Sequence, residues 1–347
     1  MRNTLVAIAA AGALAACGTG GDDAGGGVER LTGAGATFPN PVYRAWFGAY
    51  DARTGVQINY QSIGSGGGIR QFTEGTVDFG ATDGPMTDEQ IAAIDGNVIH
   101  VPTVLGAVVL TYNLPSLGET QLKLDGGVIA DIFLGRITTW NDRRIAALNP
   151  DVSLPERDLI VVHRSDGSGT SFVFTDYLAK VSPEWQSQVG AATSVNWPVG
   201  LGGKGNEGVT QQVKQVEGSI GYVELIYAKS NNLPWAKVRN AAGNFVEPTL
   251  ESVSAAAASA DLGPDTDFRV SITNAQGAEA YPIASFTWLL VYRDNPDPAK
   301  AATIRTFLEW MISPEAQDMA RDLGYAPLPD EVIALVAERI GPPPPRP

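Results

Sequence analysis

The sequence feature that most constrains the fold is a short turn, rich in Gly, Ser and Thr, that links a strand pattern to a helix pattern. Residues 164–170 (RSDGSGT) follow the apolar run 159–162 and precede apolar residues spaced by three to four, as on one helix face. A helix N-terminus exposes N–H donors and carries a partial positive charge, so this turn predicts a site for an oxyanion. For any single turn of this kind, an ordinary capped turn remains the alternative.

Two further turns have the same character. Residues 33–39 (GAGATFP) precede a helix pattern with Pro41 in its first turn, and residues 64–68 (GSGGG) follow a strand pattern at 56–60. Their small residues let backbone N–H groups approach a ligand closely. Because such turns gather where ligands bind to open α/β sheets, the three turns together predict one anion site. None has the spacing of a nucleotide-binding loop.

The remaining patterns alternate strands with helices, which indicates an α/β fold with largely parallel sheets. Strand patterns cover 98–113, 220–223 and 285–292, and helix patterns cover 209–216, 252–260 and 304–311. The stretches rich in Gly, Ala, Asn and Asp near 200–206 and 240–244 are interpreted as surface loops.

The N-terminus has the character of an export signal. A basic start precedes an apolar run that is too short to cross a bilayer, which indicates a secretory signal. Residues 14–17 (LAAC) resemble the bacterial lipoprotein signal, so residues 1–16 are predicted to be a lipoprotein signal peptide. Cys17 would then be lipidated and would anchor the chain in the periplasm or on the outer face of the cell membrane. A chance cysteine in an ordinary signal peptide is the alternative. Because the chain has one cysteine, no internal disulfide is possible.

The two ends of the chain cannot form a core. Residues 17–29 are predicted to be a flexible Gly-rich tether, and residues 342–347 are predicted to be a disordered Pro-rich tail. The stretch between them, about 310 residues, is long enough to suggest two domains.

Charge and composition argue against several functions. The net charge of −14 argues against nucleic acid and anionic lipid surfaces, whereas a buried anion is held by short-range bonds. The two histidines, His100 and His163, lie in apolar strand patterns and are expected to pack in the core or at a strand edge. No cluster with metal-ligand spacing occurs, so the sequence predicts no metal, no cofactor and no catalytic residue.

Four motifs occur in an order that resembles one known family. They are 33–39 (GAGATFP), 63–68 (IGSGGG), 77–83 (VDFGATD) and 166–172 (DGSGTSF), and 324–329 (GYAPLP) follows near the end. Behind an export signal, this order resembles the phosphate-binding proteins of bacterial ABC-type phosphate uptake systems.

The resemblance implies a fold and its boundaries. The fold is the α/β, two-lobed periplasmic-binding-protein fold of type II, in which each lobe has a mixed, mostly parallel sheet flanked by helices. The ligand lies in the cleft between the lobes. Lobe I would comprise 30–107 plus 286–341 and lobe II 108–285, with crossover segments near 104–111 and 283–290.

The resemblance also implies the residues that hold phosphate. The hydrogen-bond donors would be Thr37, Phe38 (backbone), Ser65, Arg164, Ser168, Gly169 (backbone) and Thr170. Asp83 takes the place of the family's acceptor carboxylate, and Asp166 takes the place of the carboxylate that pairs with the ligand arginine. Gly66 and Ser165 stand where serine and alanine are common, and neither carries the chemistry proposed.

An acceptor carboxylate beside bound phosphate would distinguish phosphate from sulfate. Phosphate near neutral pH carries at least one proton and can donate it to Asp83, whereas sulfate carries none and meets a like charge. A site built for that hydrogen bond leaves a buried polar group unpaired when sulfate enters. Discrimination of roughly a thousandfold or more is therefore expected.

The function implied is high-affinity, extracytoplasmic binding of phosphate and its delivery to an ABC-type permease by hinge closure of two lobes. The expected partners are inorganic phosphate, the permease and a lipid anchor, with no nucleic acid. The chain is expected to be a monomer and not an enzyme. Three alternatives stay open: an exported phosphatase, a receptor for another oxyanion or an organic solute, and a phosphate sensor or adhesin with the same fold.

Overall fold

A computed structural model describes residues 28–258, 260–263 and 266–341. The predicted signal peptide, Cys17, most of the tether and the Pro-rich tail lie outside the described residues. Among the helices in the described ranges, none has both the length and the hydropathy that a membrane span requires.

Strands and helices alternate along most of the chain. The strands are β1 (Arg30–Gly35), β2 (Gln57–Ser62), β3 (Phe79–Thr82), β4 (Ile99–Tyr112), β5 (Lys123–Leu124), β6 (Ile160–Arg164), β7 (Leu201–Gly203), β8 (Ser219–Glu224), β9 (Lys237–Arg239), β10 (Phe245–Val246) and β11 (Ala284–Val291). The helices are α1 (Asn40–Thr54), α2 (Ser65–Thr73), α3 (Asp88–Ala92), α4 (Gly126–Phe133), α5 (Arg143–Leu148), α6 (Gly169–Val181), α7 (Pro183–Gln188), α8 (Gly205–Gln215), α9 (Leu225–Ser230), α10 (Leu250–Ala257), α11 (Pro298–Met311), α12 (Pro314–Asp322) and α13 (Asp330–Ile340). A 3₁₀ turn covers Pro115–Leu117.

Within the described residues, eight strands form one mixed sheet in the order β2-β1-β3-β11-β4-β8-β6-β7. The outer strands pair in parallel: β1 with β2 and β3, and β6 with β7 and β8. The two central strands pair antiparallel with their neighbours. The expectation of largely parallel sheets therefore holds for the outer strands, whereas the long central strands run antiparallel to both of their partners.

The strand β4 belongs to both parts of this sheet. Its residues 99–107 pair with β11, and its residues 108–112 pair with β8. We call β1, β2, β3, β11 and their helices the first half, and β6, β7, β8 and their helices the second half. One continuous strand therefore links the two halves, and nearly all of its residues are buried.

Helix α1 shows why these sequences form these elements. Its apolar residues recur at helical spacing and all face the core: Val42, Tyr43, Trp46, Phe47 and Tyr50. Pro41 lies in the first turn, where the missing N–H costs nothing. The helix ends at Gly55, whose φ of 76° is a conformation that glycine adopts without strain.

Most predicted elements are confirmed, and one prediction is wrong. The strand patterns at 98–113 and 285–292 form β4 and β11, and the helix pattern at 304–311 forms the end of α11. The stretch 200–206, interpreted as a surface loop, instead forms β7 and the first turn of α8, with Asn206 fully buried. Its glycines permit tight packing, because a Cβ at Gly203 would lie 2.6 Å from the backbone nitrogen of Val209.

Candidate functional site

The predicted site residues lie together where the two halves meet. Thr37 and Phe38 follow β1, Ser65 begins α2, and Asp83 follows β3 directly, all in the first half. Arg164 ends β6 in the second half, Ser168 caps α6, and Gly169 and Thr170 form the first turn of α6. All eight are at least 98% buried or are glycine packed against the opposite half.

The contact between the halves is close. A Cβ at Gly169 would lie 2.5 Å from Ser65 Oγ and 2.6 Å from the Cβ of Asp83. Across the same junction, the N–H of Gly66 donates to the carbonyl of Gly167 at 2.9 Å. The two groups of residues predicted from separate turns are therefore in direct contact across one junction.

Arg164 is a buried cation with a fixed orientation. Its side chain is 1% exposed, and its Nε and Nη2 donate to the two carboxylate oxygens of Asp166 at 2.8 and 2.6 Å. Asp166 also accepts from the N–H of Gly205 at 3.0 Å. Burial alone raises the pKa of Asp166, but the hydrogen bonds and charge of Arg164 outweigh it and hold that pKa below its usual value. The pair presents a rigid guanidinium edge toward the cleft.

Asp83 is a buried carboxyl group on the opposite side. Its Oδ1 accepts from Thr287 Oγ1 at 2.8 Å, and its backbone N–H donates to Ser65 Oγ at 3.2 Å. Burial raises the pKa of Asp83 from 3.8 to about 7, although Thr287, Arg164 and Ser65 each lower it. A carboxyl group near its midpoint at neutral pH can share one proton with a ligand.

The helix starts supply the other donors. Ser168 caps α6, its Oγ accepting from the N–H of Ser171 at 3.0 Å, and this fixes the first turn that contains Gly169 and Thr170. The N–H of Phe38 lies ahead of α1, where a helix leaves donors without intrahelical acceptors. The Phe38 ring is fully buried beside Tyr325, whose hydroxyl donates to the Phe38 carbonyl at 2.7 Å.

Sequence reasoning missed Asn206, which follows a fourth turn of the same kind. Its Nδ2 donates to Thr37 Oγ1 at 2.8 Å and to Thr170 Oγ1 at 3.1 Å, so it contacts a predicted ligand hydroxyl of each half. The signal was present, because a glycine-rich turn at 202–205 precedes a helix pattern at 209–216. Glycine is also common in surface loops, so the glycine content of this stretch favours a loop over a strand and a helix start.

Two other missed residues support the site. Thr287, in β11, donates to Asp83. Glu224 is fully buried, caps α9 by accepting from the N–H of Ile226, and its Oε1 has no hydrogen-bond partner among the described residues. Burial raises the pKa of Glu224 well above its usual value.

The histidines lie apart from this cluster. His100 is fully buried in β4, with Nδ1 bonded to Asp267 at 2.7 Å and Nε2 accepting from the N–H of Met86 at 3.1 Å. His163 is half-buried and stacks on Trp197. Both positions agree with the predicted packing role. In the described part of the chain, no group of three or more His, Cys, Asp or Glu side chains could hold a metal ion.

The sequence and the fold match those of known proteins. The family model of the PBP superfamily domain matches residues 20–315. The phosphate-binding protein PstS of Haemophilus influenzae is 47% identical over 308 residues, which cover 88% of this chain and 91% of the relative. PstS of Pasteurella multocida is also 47% identical over 308 residues, covering 89% of each chain.

A solved phosphate-binding protein from Stenotrophomonas maltophilia matches the fold with a TM-score of 0.70, at 20% identity, over 89% of this chain and 93% of the other. The mixed sheet in two halves and the matched family model define a two-lobed solute-binding protein of the α/β class. The chain belongs to the PBP superfamily and, within it, to the family of PstS phosphate-binding proteins.

Proposed function

We propose that this chain binds inorganic phosphate between its two lobes and delivers it to an ABC-type phosphate permease. The observation that carries the proposal is the pairing of opposite chemistries across one buried cleft. The charge of Arg164 in one half acts on the buried carboxyl group of Asp83 in the other, and the first turn of α6 packs against Asp83 at Gly169. The family membership agrees with this chemistry.

The proposed phosphate ligands are those expected from the sequence: Thr37, Phe38, Ser65, Asp83, Arg164, Ser168, Gly169 and Thr170. Asp166 positions Arg164. The proposed lobe boundaries are also retained, with lobe I at 30–107 plus 286–341 and lobe II at 108–285. The exchange of partners along β4, from β11 to β8 after residue 107, supports a crossover in that region.

Asp83 gives the site its proposed preference for phosphate over sulfate. The donors of the cleft bind any tetrahedral oxyanion of the right size, whereas Asp83 in its ionised form gains a hydrogen bond only from an anion that carries a proton. Arsenate shares that property with phosphate, and sulfate does not.

Binding without catalysis is the proposed activity. The hydroxyl of Ser168 accepts from a backbone N–H and lies beside no histidine, since His100 and His163 make their contacts elsewhere. Nucleophilic attack by a serine needs a base that takes its proton. Absence of p-nitrophenol release from its phosphate ester agrees with this proposal, and turnover contradicts it.

The proposed location is outside the cytoplasm, with a lipid at Cys17 and the body as a monomer. Replacement Cys17→Ser is expected to move the protein from the membrane fraction to the soluble fraction, with phosphate affinity unchanged. A membrane fraction equal to that of the wild type contradicts the anchor. Sedimentation of the soluble variant tests the monomeric state.

The deciding experiment for binding is calorimetric titration of the purified chain, stripped of ligand, with phosphate, sulfate and arsenate. We expect one phosphate per chain, arsenate bound at the same site and sulfate bound far more weakly. Equal affinity for phosphate and sulfate contradicts the role of Asp83. Absence of phosphate binding contradicts the proposed function.

A further inference from the structure

Asn206 has no assigned role, although it lies between the two halves of the site. It is the second residue of α8 and is fully buried. Its side chain reaches Thr37 of the first half and Thr170 of the second half. Both threonines are proposed phosphate ligands, so the following argument rests on the proposed function.

A backbone group fixes the direction of the Asn206 amide. The N–H of Glu224 donates to Asn206 Oδ1 at 2.9 Å. A backbone N–H is always a donor, so the atom that faces it must be the amide oxygen. The amide nitrogen, which is only a donor, therefore faces the two threonine hydroxyls.

Each threonine oxygen then receives two hydrogen bonds from groups that cannot accept. Thr37 Oγ1 accepts from the backbone N–H of Asn206 at 3.2 Å and from its Nδ2 at 2.8 Å. Thr170 Oγ1 accepts from Asn206 Nδ2 at 3.1 Å and from Arg164 Nη1 at 3.3 Å. A hydroxyl oxygen has two lone pairs, so both oxygens are saturated as acceptors.

We infer that Asn206 is a positioning residue that makes Thr37 and Thr170 donors only, so that neither threonine can accept a hydroxyl of the bound tetrahedral oxyanion. Ser65 and Ser168 each accept one backbone N–H, from Asp83 and from Ser171, and keep one lone pair. Asp83 is the one carboxyl group among the proposed ligands and therefore the strongest acceptor for a ligand hydroxyl. A second ligand hydroxyl that points at either threonine meets only donors.

The test uses two substitutions of similar size in the full chain, with phosphate as the probe. Asn206→Leu frees one lone pair on each threonine, and we expect phosphate affinity to fall about tenfold at alkaline pH. Asn206→Asp keeps the acceptor for Glu224 but turns both hydroxyls toward the new carboxylate. We expect that variant to lose about a hundredfold or more.

The pH profile separates positioning from a structural role. Dihydrogen phosphate brings a second hydroxyl, so wild-type affinity should fall as pH drops below the second ionisation of phosphate. Asn206→Leu should show a flatter profile, because a freed threonine lone pair accepts that hydroxyl. The titratable and charged groups around these hydroxyls, Asp83, Arg164, Asp166, Glu207 and Glu224, are the same in both proteins.

Asn149→Leu is the matched control. Asn149 is a buried asparagine whose amide bonds only to the backbone of Lys123 and Ile145, far from these ligands. The variant Asn149→Leu should lose stability while keeping the affinity and pH profile of the wild type.

If the wild-type chain binds phosphate and Asn206→Leu keeps its affinity and its profile, the inference is wrong and the proposed function stands. If Asn206→Leu loses the same factor at every pH, the positioning role is also wrong. If the wild-type chain does not bind phosphate, both the proposed function and this inference are wrong.

Discussion

The two sides of the cleft carry different chemistry. The second half contributes the buried cation Arg164, held by Asp166, together with the capped first turn of α6. The first half contributes hydroxyls, backbone donors and the buried carboxyl group of Asp83. We therefore expect the second half to attract any oxyanion and the first half to select among oxyanions.

Removal of the cation should have the largest effect. Arg164→Ala takes away the charge that faces the ligand and leaves Asp166 and Asp83 without compensation. We expect phosphate affinity to fall at least a thousandfold, or about 4 kcal/mol, by calorimetry. Arg144→Ala is the control, because Arg144 also pairs with carboxylates of the second half, Asp142 and Asp131, but at the surface. Equal losses in both variants contradict the assignment of attraction to Arg164.

Separation of the two sides should have the next largest effect. Gly169→Ala places a methyl group 2.5 Å from Ser65 Oγ, and the halves must move apart to admit it. We expect phosphate binding to weaken about a hundredfold, or by about 3 kcal/mol. Overpacking is costly, and donors on both sides would lie too far from the ligand to bond it. Gly48→Ala in α1, where a Cβ meets nothing within 4 Å, should bind like the wild type. Retained affinity in Gly169→Ala means that the ligand does not require this close approach.

Acidification should stabilise the ligand-free protein through Asp83. Its pKa is raised from 3.8 to about 7, so its stabilising contribution is full below about pH 4 and is lost as pH rises through about 7. We expect the wild type to lose about 2 kcal/mol of unfolding free energy from about pH 5 to about pH 8, beyond any loss in Asp83→Asn. Urea unfolding at several pH values measures this difference. Parallel curves for the two proteins indicate that Asp83 titrates in its ordinary range.

Substitution of Asp83 should cause the smallest change in affinity among these predictions, and the change should appear in the preference for phosphate over sulfate. Asp83→Asn replaces a pure acceptor with a group that can also donate to sulfate. The amide oxygen still accepts from a ligand hydroxyl, so only part of the expected discrimination is lost, and the ratio of phosphate to sulfate affinity should fall about tenfold, or about 1.4 kcal/mol, in competitive calorimetry. Thr287→Val removes the donor to Asp83 and should give a smaller shift in the same direction. Unchanged affinities for both anions in Asp83→Asn place selection elsewhere in the site.

The part of the site that could be predicted from sequence is the part that is local. Residues 164–170 carry their strand, turn and helix start in one short segment, and Arg164 and Asp166 are two positions apart, so their pairing needs no knowledge of the rest of the fold. The same holds for Thr37 and Ser65, which stand at the starts of recognisable helices.

The part that could not be predicted depends on contacts between distant segments. Thr287 lies in an apolar run whose pattern predicts only a buried strand. Its hydroxyl nevertheless bonds to Asp83, 204 positions away. Asn206 and Thr37 are 169 positions apart. Periodicity assigns a side chain to a face of an element, but it does not say which element will lie opposite.

The position of β11 governs the order in which the chain can fold. This strand lies between β3 and β4, yet it follows them by about half of the length of the chain. Until it arrives, β3 and β4 present unpaired edges, and the closing of so long a loop is slow. Asp83 gains its bond from Thr287 only at that last step. A chain interrupted before residue 284 would therefore contain Arg164 and Asp83 but would lack the donor that Thr287 supplies to Asp83.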